Sequence, residues 1–537
     1  MKNNMFRKSI SIALVLIMAL SMAAFTGCPV DPPEPTPMVD PVDDNYRTFY
    51  QIFVGSFSDG NNDGIGDLMG IINKIDYLND GDINSGNDLG VQGIWLSPIF
   101  SSPSYHKYDA KDYYAIDWRF GSMDTLKELI ELCHERNVKI ILDLAINHTS
   151  NQHPWFVEFK NSRMKGDTEN KYYNFYSCVK TAEKKGGITY QAIAGTDYWY
   201  ECNFSGDMPE LNYDNPDVRE AMLDVARYYL DMGIDGFRFD AIKYIYYGNT
   251  SKSVAFWEWY MEELRKDYPD MYAVGECWSS DTEIISYYKS MNCFDFSMSS
   301  GEGKVAVAAK GNANVGNYVK YVESFIKMMK NKNPDGMMIS FLSNHDQDRI
   351  AGTFVTDNNM KMAANLYLLS SGSPVIYYGE EIGLRGSRGS ANTDANRRLA
   401  MLWGDGDNVR NPIGSTYPSD KQISATVADQ LEDENSMLRY YSRLISIRHK
   451  YPAIARGEYK AITSTNKNFA GFLVEYEGEK LGILHNTSAN EITIDLSTCY
   501  GLSEHAFAEV CDYIGAGNAK LEGTTLTIGA YTSAILK

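Results

Sequence analysis

Eight short runs of apolar, β-branched and aromatic residues, separated by stretches of helical spacing, constrain this chain more than any other feature. They are "YRTFYQIFV" from residue 46, "GVQGIWLSPI" from 90, "KIILDLAINH" from 139, "GIDGFRFDAI" from 233, "MYAVGECW" from 271, "NCFDFSMS" from 292, "MMISFLSNHD" from 337 and "SPVIYYGEEIG" from 373. Runs so continuously apolar are buried on both faces, as strands of a parallel sheet are. The segments between them carry helix signals. In "NPDVREAMLDVARYYLDMG", Asn215 is placed to cap, Pro216 to open the first turn, Val218, Met222, Val225 and Tyr229 to share one face, and Gly233 to end the helix. Leu126, Leu129, Ile130 and Cys133 make the same stripe in "DTLKELIELCHERN". Eight strand-helix alternations predict an α/β fold, a closed (β/α)8 TIM barrel rather than an open doubly wound sheet, built from residues 45–148 and 206–454.

Two stretches break the alternation. Residues 149–205 lack clear periodicity and are rich in aromatic, lysine and glycine residues, which predicts a subdomain inserted after the third strand, over the barrel mouth. Residues 455–537 change to alternating strands such as "FAGFLVEYE", "KLGILHN", "EITIDL" and "TLTIGAYTSAILK", with no helix between them, which predicts a C-terminal antiparallel β-sandwich domain.

The first 28 residues read as a targeting segment. Lys2, Arg7 and Lys8 precede the apolar stretch "SISIALVLIMALSMAAF", too short for a permanent span, which closes in "FTGC". That ending resembles a bacterial lipoprotein processing site with Cys28 as the lipidated residue; simple cleavage and secretion is the alternative. Residues 29–44, "PVDPPEPTPMVDPVDD", form a proline-rich acidic tether that cannot bury a core. An extracytoplasmic protein attached to a membrane through Cys28 is the expectation. Of the seven remaining cysteines none forms a CxxC pair, so a zinc site has little support, while Cys178 and Cys202 lie in one loop-rich segment and could bridge.

Charge narrows the partners. A net charge of -20 disfavours nucleic acid, and 38 tyrosines with 8 tryptophans leave flat side chains for stacking on a neutral ligand. In such barrels the chemistry sits where the strands end. The third run ends in Asp143, Asn147 and His148, the fourth in Arg238 and Asp240, the fifth in Glu276, and the seventh in His345 and Asp346. One buried aspartate paired with an arginine is ordinary scaffolding, but charged groups closing four apolar strands are hard to explain as packing. Clustered carboxylates with an arginine and two histidines suit a cationic transition state, above all glycosidic bond cleavage, in which one carboxylate attacks and another donates a proton. Arg238, two residues before Asp240 on the same strand face, is expected to keep Asp240 ionised, and Glu276, facing negative charge, to have its pKa raised.

One loop suggests a cation. "SDGNNDGIGDL" places Asp59, Asn61, Asp63 and Gly64 at positions 1, 3, 5 and 6 of a calcium-loop template, the Ile65 carbonyl at 7 and Asp67 at 9. Position 12 is Gly70, so the bidentate glutamate of a calcium switch is missing. The expectation is a structural Ca2+ rather than a regulatory one, against a plain acidic turn.

At these residues the chain resembles the α-amylase family of retaining glycoside hydrolases. "DLAINH" (143–148), "GFRFDAIKY" (236–244), "GECW" (275–278) and "FLSNHDQDR" (341–349) look like its four strand-end motifs, in order. "MPELN" (208–212) resembles a fifth motif, close to the form in members intermediate between oligo-1,6-glucosidases and α-amylases, and the acidic loop resembles a calcium loop that many of these carry. The resemblance implies Asp240 as nucleophile, Glu276 as general acid/base and Asp346 as the carboxylate that holds the sugar hydroxyls. It implies that Arg238, His148 and His345 line the cleaved-sugar subsite, that Tyr108 stacks on that sugar, that Asp109 and Arg398 bond its hydroxyls, and that Lys243 contacts substrate. Three positions depart from the pattern: Tyr244 stands where histidine commonly follows Lys243, Glu210 replaces an aspartate, and Lys107 replaces a glycine before the stacking tyrosine, where it is expected to narrow the pocket.

The resemblance leaves an α-amylase-like hydrolase of starch, glycogen or maltooligosaccharides as the first expectation, and an oligo-1,6-glucosidase or transglycosylase as the second. A glycan-binding lipoprotein without turnover is a third, and the presence of all three carboxylates argues against it.

Overall fold

In a computed structural model, residues 40–502 and 507–537 are described; the targeting segment, Cys28 and most of the tether lie outside them. Strand Phe49–Ile52 pairs in parallel with Gly93–Leu96 on one side and Val375–Tyr377 on the other. From Gly93–Leu96 the sheet continues through Lys139–Leu144, Gly236–Phe239, Tyr272–Gly275 and Asn292–Cys293. The run from 337 forms no ladder but closes the ring through two isolated parallel bridges, Phe294 with Ile339 and Phe341 with Val375. Its bonds include Asp295 N to Ile339 O on one side and Ser373 N to Met338 O and Val375 N to Ser340 O on the other, each 2.9 Å. All eight runs thus occupy a TIM barrel, the seventh as a stave held by a few backbone bonds.

Local chemistry sets the helices. Pro216–Asp231 begins where the Asn215 side chain accepts from Asp217 N, and Gly233 follows with φ +108°. Met123–Glu135 is capped by Ser122 and buries Leu126, Leu129, Ile130 and Cys133.

Residues 149–205 hold a helix that their weak periodicity concealed, Pro154–Lys165. It buries only Phe156, Phe159 and Ser162, so most of its surface is polar; its signals are Pro154 in the first turn, Arg163 and Lys165 in the last, and Gly166 beyond at φ +67°. An antiparallel sheet in the order Cys178–Lys180, Tyr198–Glu201, Tyr190–Ala192 follows. Cys178 and Cys202 are not bridged, and all seven cysteines among the described residues are free.

At the C-terminus a five-stranded antiparallel sheet faces a three-stranded one, and Ile462, Phe469, Leu484, Leu526, Ile528 and Leu536 form a separate core. Tyr459, Phe472, Val474 and Ile483 belong instead to the main core shared with the barrel helices. The larger sheet is therefore apolar on both faces.

The fourth strand starts at Gly236, whose φ is +151° and where an added Cβ would lie 1.9 Å from the Tyr272 carbonyl oxygen. This close approach lets the fourth strand pair with the fifth and so sets Arg238 and Asp240 beside Glu276. A Gly236→Ala variant is expected to lose about 3 kcal/mol of stability through overpacking, read calorimetrically as a lowered Tm; an unchanged Tm would refute this account of the register.

Candidate active site

The site is organised by one guanidinium. Arg238 is fully buried, and its Nη1 lies 2.7 Å from Asp143 Oδ1 and 2.6 Å from Asp240 Oδ1, while Nη2 lies 3.2 Å from Glu276 Oε2. Strand pairing produces the convergence: Asp143 is directly opposite Arg238 across the third and fourth strands, and Glu276 follows Gly275, the partner of Phe239. Ala241, next after Asp240, adopts φ +49°, a left-handed conformation costly for alanine, and its N–H donates to Glu276 Oε2 at 3.0 Å.

A hydrogen-bonded chain extends from Asp143. Its Oδ2 accepts from Trp95 Nε1 (3.2 Å) and from the Tyr108 hydroxyl (2.8 Å), so that hydroxyl accepts in turn from His345 Nε2 at 2.6 Å. The amide of Gln51, from the first strand, meets His345 Nδ1 at 2.7 Å. Asp346 is held by Arg398 Nη2 (2.8 Å) and His345 Nε2 (3.1 Å), and Arg398 Nε donates to the His345 carbonyl.

Burial and charge separate the carboxyls. Glu276 is pushed up to about 7 by burial, opposed by Arg238 and reinforced by Asp240 and Asp346. Asp240 rises to about 6: burial outweighs Arg238, so the arginine lowers its pKa without holding it in the ordinary carboxylate range. Arg238 thus acts in the expected direction on Asp240, against a burial cost that the residues alone did not show. At Asp346, burial is outweighed by His345, which bonds it, and by the charges of Arg398 and Arg238, and its pKa falls well below the usual range. Glu276 therefore holds its proton to higher pH than Asp240, while Asp346 stays ionised. Three carboxyls with different readiness to release a proton thereby face each other at one site. Burial also lowers His148 to about 4, so it is a neutral imidazole at pH 7.

These groups face a cavity of about 870 Å³. Asp240, Glu276, Asp346, Tyr108, His148, Lys243 and Arg398 line it, while Arg238 and His345 are fully buried outside its lining. Asp109, expected to bond sugar hydroxyls, is not in the wall: it is 4% exposed and its Oδ1 accepts from the Ser102 and Ser104 hydroxyls. Lys243 Nζ donates to the Trp278 carbonyl at 2.7 Å. Lys107 does not narrow the cavity, because its side chain runs to Asp117 instead. Glu210 is buried and accepts two bonds from Asn203, beside its bridge to His148, which makes it a tie between the inserted segment and the end of the third strand.

Sequence reasoning missed several wall residues. Trp278 is 49% exposed and stacks on Phe296 at 5.1 Å, and Phe204, 44% exposed, contacts His148 and Tyr244. Trp278 adjoins the Glu276 motif and could have been suspected, whereas Phe204 lies in a segment without pattern. Arg388 and Asp394, an ion pair after the eighth strand, also line the cavity.

The acidic loop lies elsewhere, with no residue in that wall. Asp59 Oδ1 accepts from the N–H groups of Asn61, Asn62 and Asp63 and Oδ2 from Gly64, which has φ +90°; Asp63 Oδ1 takes Ile65 N. Asp67 Oδ1 caps helix Leu68–Asn73 through Gly70 N and also accepts from Gly60 N. The backbone thus wraps as the template asks, but the carboxylates serve N–H groups. Among the described residues no three His, Cys, Asp or Glu side chains are grouped closely enough to hold a metal ion.

Comparison with known proteins agrees with this geometry. The family description "Alpha amylase, catalytic domain" matches residues 51–457. Alpha-amylase 3 of Dictyoglomus thermophilum is 34% identical over 494 residues, covering 91% of this chain and 92% of its own length. An oligo-1,6-glucosidase of Bacillus cereus is 29% identical over 536 residues, covering 85% and 92%. The solved structure of Amy13B from Eubacterium rectale superposes with a TM-score of 0.84 at 34% identity, covering 93% of this chain and 96% of that one.

Glu276 is expected to keep its proton up to about pH 7. Infrared spectra over a pH series should show a carboxylic C=O band that fades near that pH and is missing in Glu276→Gln; a band fading near the ordinary 4.5 would overturn the assignment.

Proposed function

Because the chain belongs to the α-amylase family and is therefore a glycoside hydrolase by descent, we propose that it cleaves α-1,4-glucosidic bonds of starch, glycogen or maltooligosaccharides with retention of configuration. The observation that carries this reading is the shared guanidinium, which holds Asp240 and Glu276 together at the cavity, with Glu276 keeping its proton to higher pH than Asp240. An Asp240 oxygen attacks the anomeric carbon as Glu276 gives its proton to the leaving oxygen, and the glycosidic C–O bond breaks to leave a covalent glycosyl-enzyme. Glu276, now a carboxylate, takes a proton from water, which attacks the same carbon and releases Asp240. Asp346, kept anionic by Arg398 and His345, binds sugar hydroxyls and resists protonation throughout. Tyr108 supplies a flat face for the sugar at the point of cleavage.

Family membership equally accommodates α-1,6 cleavage and transfer to a sugar hydroxyl, since both use the same covalent intermediate. The exposed rings of Trp278 and Phe204 favour a chain that continues past the cleaved bond, because each offers an apolar face that further sugar units would cover. The protein as it exists after Cys28 is to be incubated with soluble starch, maltotriose and isomaltose and the products separated. A spread of maltooligosaccharides is expected from starch, and glucose from isomaltose alone would overturn the assignment. Asp240→Asn is expected to lower kcat by about 10³-fold or more.

Two further readings belong to the same proposal. The template-like wrap around Asp59 supports a structural Ca2+ at Asp59, Asn61, Asp63, Ile65 and Asp67, bound by oxygen ligands and stiffening the connection after the first strand. Lipidation of Cys28 would hold the catalytic domain outside the cytoplasm on its tether, where polymeric glucan is met. Chelation is expected to lower the Tm by roughly 5 °C with little change in kcat; a Tm that responds neither to EDTA nor to added calcium sinks the ion.

A further inference from the structure

Lys107 adopts φ +67°, a left-handed conformation that a lysine enters only at a cost, in the loop that joins strand Phe100–Ser101 to strand Asp112–Ile116. A glycine would take this backbone without strain, so the side chain has to contribute something. Its ammonium lies 2.7 Å from Asp117 Oδ2 with both side chains 2% exposed, the most buried ion pair among the described residues outside the Arg238 cluster. Asp117 in turn accepts from Arg119 Nε at 2.9 Å and from Ser102 N at 3.3 Å, so it joins the two ends of the loop. The Lys107 ammonium also meets the Ser102 carbonyl at 3.4 Å and sits 5.4 Å above the Phe120 ring. A lysine in mid-loop is thus pulled back onto the base of its own hairpin.

The next residue is Tyr108. Its hydroxyl bridges Asp143 and His345, and its ring stacks on the His345 imidazole at 5.4 Å and 10°. Among the described residues, Tyr108 is the loop residue whose hydroxyl bonds both Asp143 and His345 in the buried chain that continues to Arg238. A shift of the loop would move this hydroxyl out of the 2.6–2.8 Å contacts that it makes. Arg119, itself bound to Asp117, keeps that carboxylate ionised in the absence of the lysine, so removing Lys107 does not leave an unpaired buried charge.

We propose that Lys107 is a positioning residue: anchored on Asp117, it fixes the loop so that Tyr108 meets both the Asp143–His345 chain and the sugar. The inference rests on the reading of Tyr108 as the residue under the cleaved sugar. Its test uses Lys107→Met, Lys107→Gly, Lys107→Arg, Tyr108→Ala and the double variant Lys107→Met with Tyr108→Ala, with kcat, KM and Tm for each on maltotriose. Lys107→Met and Lys107→Gly are expected to lower kcat/KM by on the order of ten- to hundredfold below their Tm, and Lys107→Arg to recover most of it. The double variant is expected to be no worse than Tyr108→Ala alone, since a residue acting through Tyr108 has nothing left to position. Losses that multiply, or full activity with only a lowered Tm, overturn the proposal. If Lys107→Met does not fold, Lys107→Gly, which relieves the backbone, carries the comparison. A second readout is independent of turnover: with ring-labelled tyrosine, the Tyr108 resonance, assigned by its loss in Tyr108→Phe, should move in Lys107→Gly. An unmoved resonance overturns the positioning role, whereas a wild-type protein inactive on every α-glucan overturns the reading of the site.

Discussion

A buried guanidinium shared by three carboxylates is the constraint on which the site depends. Arg238 carries one positive charge, and Asp143, Asp240 and Glu276 each place an oxygen against it. Desolvating that many charges is costly, and one cation offsets only part of the cost. The cluster relieves the remainder by keeping a proton. Burial raises both Glu276 and Asp240, each also facing two neighbouring carboxylates, and Glu276 has the longer contact to Arg238, at 3.2 Å. Asp346 escapes because Arg398 and His345 are its own. Burial raises Asp240 and Glu276 by similar amounts, so glutamate's higher ordinary value keeps Glu276 above Asp240, while the nearby cations set Asp346 apart from both.

The barrel is what makes this charge distribution reproducible. Strand register puts Asp143 opposite Arg238, and Gly236 permits the approach of the fourth and fifth strands that brings in Glu276. Gln51 and Trp95, from the first two strands, then secure His345 and Asp143 from the side. Each contact is short because each donor stands on a strand that the sheet holds at a set spacing. The left-handed Ala241 fits the same logic: strain in one residue is tolerated where its N–H meets a catalytic carboxyl.

Much of this was legible in the residues before any coordinates, and the exceptions have physical reasons. All eight runs stand out because burial on both faces keeps them continuously apolar, and the helices at 123–135 and 216–231 because burial on one face imposes a period. Helix Pro154–Lys165 did not, since it buries three side chains and leaves the rest to solvent. Strand-end charges identified the carboxylates, but alternation says which groups are neighbours and not how far they are from water, so the rise of Asp240 above the ordinary range was missed. Asp109 and Lys107 were placed by adjacency to Tyr108, whereas loop geometry turned one onto two serines and the other onto Asp117. Long-range partners of loop residues leave no local pattern.

That difference maps onto the two walls of the cavity. The wall made of strand ends, Asp240, Glu276 and Asp346, is held by a hydrogen-bonded lattice reaching through the barrel, and it carries the chemistry that family membership implies. The other surfaces come from connections: Phe204 from the inserted segment, Trp278 leaning on Phe296, and Arg388 with Asp394 after the eighth strand. These connections, rather than the strand ends, shape the part of the cavity farther from the carboxyl cluster. A fold that fixes its carboxylates by strand register can vary its loops without disturbing proton placement. Relatives named for amylase and for oligo-1,6-glucosidase, each aligning with four-fifths or more of this chain, fit that separation. Lys107 lies at the border between the two parts, a loop residue whose buried ammonium holds the connection that carries Tyr108 to the buried charge cluster.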